Sequence, residues 1–288
     1  MESDEDKTTP RSILLQHVTM GLSIAFQIAA FAVTLYAFRQ SDTLPKPLVL
    51  ILYLEVSVQA VEILWYTGTF LWWIVRKQTV VIGYRYIDWV FSTPVMLVST
   101  LYFLSWLGDR ECDEVVLNTS YRVALLFLLP FLDWAMLFFG AIYEIEATWT
   151  EKLRNSIDYY DGQSIGIRYG FVVFLVIFSL LLPVTVSSPS YEGTAVWLIT
   201  FFLWALYGVV ALWGQQPFNK GPRLLDDRKS NDQTDKASDS DKQIREALRN
   251  ASYNILDVLS KNIAGFAVGY LILQESPTTP DPPVCLHT

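Results

Sequence analysis

Residues 251–274 read ASYNILDVLSKNIAGFAVGYLILQ, an apolar stretch with Asp257 and Lys261 near its middle. A helix needs ~20 apolar residues to cross hydrocarbon, so the stretch is long enough to span a bilayer. A lysine near the bilayer midplane is costly and rare unless something there uses it. Positions i and i+4 share one helix face, so the Asp257 carboxylate can neutralise the Lys261 amine. A buried lysine amine is also the usual nucleophile for Schiff-base chemistry with an aldehyde. The plain alternative is a structural ion pair between helices.

Outward from this stretch the pattern repeats. Of the 288 residues, 52% are hydrophobic and 15% aromatic, and the apolar ones gather in seven runs: 12–38, 47–75, 80–106, 121–142, 165–187, 193–214 and 249–274. The first is uncharged between Arg11 and Arg39, and the sixth between Glu192 and Lys220. A soluble core helix would show a polar face at 3.6 spacing, and these two do not. The runs predict an all-α membrane protein, a seven-helix bundle over 12–274. A polar N-terminal tail, 1–11, precedes it and a proline-rich C-terminal tail, 275–288, follows, with the termini on opposite sides.

The first ten residues, MESDEDKTTP, are acidic rather than a basic leader, so helix 1 is expected to be the insertion signal. The charged loop 215–247 between helices 6 and 7 contains DDRKSNDQTDKASDSDK, a composition that predicts little order. Cys112 and Cys285 fit neither a disulfide framework nor a metal site, and His17 and His287 are too sparse for a transition-metal centre. Asn118-Thr119-Ser120 is a glycosylation sequon too near helix 4 to be expected in use. Sixteen of the 21 Lys and Arg residues fall on the side of the N-terminus and four on the other, with Lys261 between. The positive-inside rule then places the N-terminus in the cytoplasm.

Away from the ends of the runs, seven strongly ionisable side chains remain: Glu55, Glu62, Arg85, Asp88, Asp133, Asp257 and Lys261. Such residues usually face the bundle interior and mark a pathway or cofactor. Asp88 follows Arg85 by three residues, so Asp88, Asp257, Arg85 and Lys261 are expected to form a balanced cluster of two positive and two negative charges.

The segment Arg85-Tyr86-Ile87-Asp88-Trp89-Val90-Phe91-Ser92-Thr93-Pro94 resembles the third-helix signature of microbial (type 1) rhodopsins. Asp257-Val258-Leu259-Ser260-Lys261 resembles their seventh-helix attachment signature, Trp204-Ala205-Leu206-Tyr207 their sixth helix, and Asp133-Trp134-Ala135-Met136 with Gly140 their fourth. The resemblance covers roughly 12–274. Tyr253-Asn254-Ile255-Leu256-Asp257 and Thr93-Pro94-Val95-Met96-Leu97 are most similar to rhodopsins of large algal viruses and their relatives.

The resemblance implies all-trans retinal bound covalently at Lys261 as a protonated Schiff base, in a pocket at the middle of the bundle. It implies Asp88 as primary counterion and proton acceptor, Asp257 as second counterion, and Arg85 as the balancing charge that gates the N-terminal side. Trp89 and Trp204 would sandwich the polyene, and Thr93, Met96, Met136, Gly140, Tyr207 and Ser260 would line the pocket, with Asp133 bonded near Thr93. The physics agrees, because a buried cation needs a carboxylate and aromatic faces suit a conjugated cation.

Departures bear on mechanism. The carboxylate that pumps usually carry five residues after the helix 3 proline is Ser99 here, which cannot supply a proton near neutral pH. Two acidic proton-release positions are Gln216 and Arg249, and Gly208 replaces the helix 6 proline. Glu55, Gln59 and Glu62 form a polar stripe on helix 2, and in channel rhodopsins helix 2 carboxylates line the conduction route. Packing glue between helices is the equal alternative. With Ser92 and Ser99 these residues are the expected ion pathway, which Gln27 could join. Three functions are in view: a light-gated channel for cations or protons, a light-driven proton pump, and a photosensor without transport. The channel is favoured. An enzyme is not expected, and neither is nucleic-acid binding. The lipid bilayer is the expected partner, and a homo-oligomer is compatible with this reading.

Overall fold

In hydrocarbon a spanning segment has to satisfy its own peptide groups, which leaves helix as the outcome for long apolar runs with short connections. The computed structural model describes residues 10–39, 44, 46–76, 83–108, 120–153, 160–187, 191–213, 232–262, 265 and 269. Among them are seven α-helices: α1 Pro10–Arg39, α2 Lys46–Arg76, α3 Gly83–Gly108, α4 Ser120–Leu153, α5 Tyr160–Ser187, α6 Tyr191–Trp213 and α7 Asp232–Asp257. A π-helical turn, Val258–Asn262, continues α7. Helices α1 to α5 pack in chain order, and α7 closes the ring against α1 and α6.

The distribution of side chains is that of a membrane protein turned outward. Gln27, Gln59, Glu62 and Asp133 are fully buried, while Leu64 is 75% exposed and Phe127 73%. Burying polar groups while presenting large apolar ones outward is favourable only when the surroundings are lipid. By length and composition, α1 to α6 can each cross a membrane. The apolar continuation of the seventh run past Asn262 lies, apart from Gly265 and Gly269, outside the described residues.

Two larger apolar clusters hold the bundle together. One joins α3, α4, α5 and α6 through Leu97, Leu101, Leu125, Leu129, Ile177, Phe178 and Trp204. The other joins α1, α2 and α3 through Ala37, Leu48, Ile51, Leu52, Phe103 and Trp106. Pro94 sits inside α3 and has no N–H to offer the Val90 carbonyl four residues earlier. Trp134 Nε1, on α4, donates to that carbonyl at 2.9 Å, so a neighbouring helix supplies the missing donor on the lipid face.

The structure corrects the sequence reading between helices 6 and 7. The charged loop expected over 215–247 is helical from Asp232 onward, so α7 begins 17 residues before the seventh apolar run, which starts at 249. No proline or glycine occurs between 232 and 264. A helix already nucleated by the following span can extend backward through polar residues, because each added residue costs far less than starting a new helix. Most of the two tails, the stretch 214–231 with Gln216, the sequon residues Asn118 and Thr119, Cys112, Cys285 and His287 lie outside the described residues.

Candidate functional site

Three helices present polar stripes to one another with the same alternating spacing. On α2 the stripe is Glu55, Gln59, Glu62 and Tyr66, and on α7 with its π turn it is Asn250, Asn254, Asp257 and Lys261. On α3, Arg85, Asp88, Ser92 and Ser99 occupy the inner face. Steps of three and four residues keep side chains on one side of a 3.6-residue helix, so each stripe faces the bundle axis. All of these side chains are buried.

Lys261 is the meeting point. Its Nζ donates to Asp88 Oδ2 at 2.8 Å and to Ser92 Oγ at 3.1 Å. It forms an ion pair with Glu62, and Asp257 Oδ1 lies 4.0 Å away. Two cations, Arg85 and Lys261, therefore share one buried cluster with three carboxyls, Asp88, Asp257 and Glu62. Glu62, turned into the same centre by α2, is a carboxyl beyond the two-and-two set expected from the sequence.

The two aspartates differ in how fully they are occupied. Asp257 receives the hydroxyls of Tyr66 and Tyr207, the latter at 2.7 Å, together with Trp89 Nε1 at 3.2 Å and Arg85 Nη1 at 2.9 Å. Asp88 Oδ1 has no hydrogen-bond partner among the described residues. Asp257 is thus a saturated anchor, while Asp88 keeps an open oxygen beside the amine.

Beside the amine lies a cavity of about 580 Å³. Trp89, Thr93, Met96, Met136, Gly140, Trp204, Tyr207, Ser260 and Lys261 all line it, so the structure brings the expected pocket residues to one cavity. Phe174 and Leu137 are among its further apolar walls. A Cβ on Gly140 would stand 3.0 Å from the Tyr86 hydroxyl, so glycine there makes room for that ring. Trp89 packs edge-on to Tyr207 at 5.3 Å between ring centroids and to Tyr253 at 5.7 Å. The Thr93 hydroxyl donates to Asp133 Oδ2 at 2.6 Å and touches the Trp89 carbonyl at 2.7 Å, joining α4 to α3 at the cavity wall. An apolar hollow of this volume with one amine and a cluster of carboxyls at its end fits a long hydrocarbon chain carrying an aldehyde such as retinal.

On the other side of Lys261 the stripe of α2 continues. Ser99 donates to Glu55 Oε1 at 2.6 Å, so the position that lacks a carboxylate on α3 is met by one from α2. Gln59 lies between Glu55 and Glu62, and neither Gln59 nor Gln27 has a side-chain hydrogen-bond partner among the described residues. Gly265 abuts the stripe, because a Cβ there would lie 2.6 Å from Gln59 Nε2 and 3.3 Å from Glu55 Oε2. Four contributors escaped the sequence reading: Tyr66, Asn254, Gly265 and the contact of Glu62 with Lys261. The spacing held the signal for two of them, since Tyr66 follows Glu62 by four residues and Asn254 precedes Asp257 by three.

A family model described as bacteriorhodopsin-like protein matches residues 15–274. Among solved structures, the chain is similar to viral rhodopsin OLPVRII at 19% identity, covering 90% of this chain and 98% of that one, with a TM-score of 0.63. A thermophilic rhodopsin matches at 18% identity over 93% and 96% of the two chains, TM-score 0.65. A light-driven proton pump from Leptosphaeria maculans matches at 15% over 90% and 95%, TM-score 0.59. At these identities the likeness to solved structures is one of fold. A comparison with curated proteins gave no match.

Proposed function

The chain belongs to the bacteriorhodopsin-like family of microbial rhodopsins, and on that premise we propose that it is a retinal-binding photoreceptor of the membrane that works as a light-gated channel for protons or cations. All-trans retinal, joined to the Lys261 amine, would supply visible-light absorption and a photochemical change of shape. The apolar walls around Met96, Met136 and Trp204 would hold it and exclude water, while Trp89 and Tyr207 fix its polar end. Asp88, with Oδ1 open, and Glu62 are the carboxyls placed to take a proton at the Lys261 nitrogen, and the resemblance favours Asp88. Asp257, held by four donors, keeps the opposing charge fixed.

The observation that carries the channel reading is the stripe that runs from Lys261 through Glu62 and Gln59 to the Glu55–Ser99 pair, buried throughout. A row of carboxylates with an amide between them inside a bundle attracts cations and offers the ligands that water or a passing ion needs. Whole-cell voltage clamp tests it. Photocurrents that reverse sign with voltage and follow the cation or proton gradient are expected, and currents of one sign at every voltage would refute it.

The Glu55–Ser99 bond favours a second reading. It sets a carboxyl beside the position where pumps carry their internal proton donor, which supports light-driven proton transport. Light-induced pH change in a suspension of expressing cells, abolished by a protonophore, would select it. The Lys and Arg distribution supports a cytoplasmic N-terminus, to be tested by the accessibility of an N-terminal tag in intact cells.

A further inference from the structure

Arg85 is held at both ends of its guanidinium. Nη1 donates to Asp257 Oδ2 at 2.9 Å and to the Tyr66 hydroxyl at 3.1 Å. Nη2 donates to the Asn250 carbonyl at 3.1 Å and to Asn254 Oδ1. The rings of Tyr66 and Tyr253 lie 6.0 Å and 5.7 Å from the guanidinium carbon. Arg85 is the third residue of α3, so it stands between the carboxyl cluster and the end of the bundle that carries the N-terminus.

Asn254 is itself oriented by α1. The Thr19 hydroxyl gives its hydrogen to the Leu15 carbonyl at 2.9 Å, so toward Asn254 it can only accept. Asn254 Nδ2 donates to it at 3.0 Å, which leaves Oδ1 turned to Arg85. The Ser23 hydroxyl donates to the Asn254 backbone carbonyl at 3.0 Å. One amide thus ties α1, through α7, to the charge on α3, and Asn254 is only 2% exposed.

We propose that Asn254 is a positioning residue that latches Arg85 onto Asp257 in the resting protein, so that the path on the N-terminal side opens only when this latch releases. Without Asn254 the Asn250 carbonyl is the one acceptor left on Nη2 among the described residues, whereas the side-chain oxygen, as a second acceptor on that nitrogen, fixes the plane of the fork. The inference rests on the retinal reading above but not on whether the protein conducts, pumps or signals.

The test is a double-mutant cycle in the full chain, read as the recovery time of the visible band after a flash. Asn254→Leu should keep the visible band and lengthen recovery by about tenfold, since a hydrogen bond to a charged group that is already re-made at the barrier back to the resting state is lost. In an Arg85→Gln background the same change should do nothing further. Asn254→Asp, which keeps the acceptor, should restore recovery toward that of the unaltered chain. Thr19→Val, which removes only the group that orients the amide, should lengthen recovery in the same direction by less. An equal effect of Asn254→Leu in both backgrounds, or none in either, overturns the latch. Should the Leu variant fail to fold, Thr19→Val in the two backgrounds decides by the same criterion. Absence of a visible band in the unaltered chain with retinal would instead refute the retinal reading.

Discussion

Replacing Asp88 removes one of three carboxyls from the Lys261 centre, and the structure assigns that loss a definite consequence. Lys261 Nζ and Asp88 Oδ2 are 2.8 Å apart. Two unit charges at that distance in an effective dielectric of ~20 attract by about 6 kcal/mol, enough to hold a buried cation. Counting only this partner, Asp88→Asn would release the proton at the Lys261 nitrogen and send absorption to the near ultraviolet. Glu62 changes the expectation. With Asp88 neutral, Arg85 and Lys261 still face Asp257 and Glu62, two charges against two. The single variant, reconstituted with retinal, should therefore keep a visible band, moved to longer wavelength because one of the negative charges beside the nitrogen is gone. Asp88→Asn with Glu62→Gln leaves two cations facing Asp257 alone, an uncompensated buried charge that costs several kcal/mol, and the visible band should be replaced by an ultraviolet one near neutral pH. Absorption spectra of the purified variants decide. A double variant that keeps its visible band, or a single variant that loses it, would show that Glu62 carries no part of the balance.

The other perturbations are simpler. Lys261→Ala removes the amine and should abolish the visible band on reconstitution, while circular dichroism still reports a helical protein. Gly265→Ala places a methyl 2.6 Å from Gln59 Nε2. The amide at the end of that flexible side chain has to turn aside, and if ~1.4 kcal/mol of the rearrangement falls on the barrier to passage, photocurrent drops about tenfold with the absorption maximum unchanged. An unchanged current would remove the α2 stripe from the route. Trp134→Phe strips the Val90 carbonyl of its donor beside Pro94 and should cost about 1 kcal/mol, a fall of about 2–4 °C in a thermal melt with the spectrum intact.

Spacing alone carried much of this site. Asp257 and Lys261 at i and i+4, or Arg85 and Asp88 at i and i+3, lie on common faces in any helix, so their neighbourhood is legible without coordinates. The contact of Glu62 with Lys261 is of another kind. It depends on how α2 is rotated about its own axis and how far it stands from α7, and neither quantity is written in local periodicity. Ser99 shows the same limit from the opposite side: read alone it is a missing carboxylate, and only the packing of α2 on α3 reveals Glu55 against it. Tyr66 was within reach, since it extends the α2 stripe, but an aromatic near the end of a membrane helix reads first as an interfacial anchor. The error at 232–247 came from judging charged composition by itself, without the span that follows and seeds its helix.

Helix α6 fully buries only Gly193 and Trp204 among its described residues, and its other side chains divide between the cavity wall and the outer face of the bundle. The outer face of such a helix can shift by trading one acyl-chain contact for another, while its inner face has core and cavity contacts to remake. Part of the resistance to its movement then comes from the bilayer. The fluidity and lateral pressure of the host membrane become physical parameters of this photoreceptor's timing, alongside its own residues.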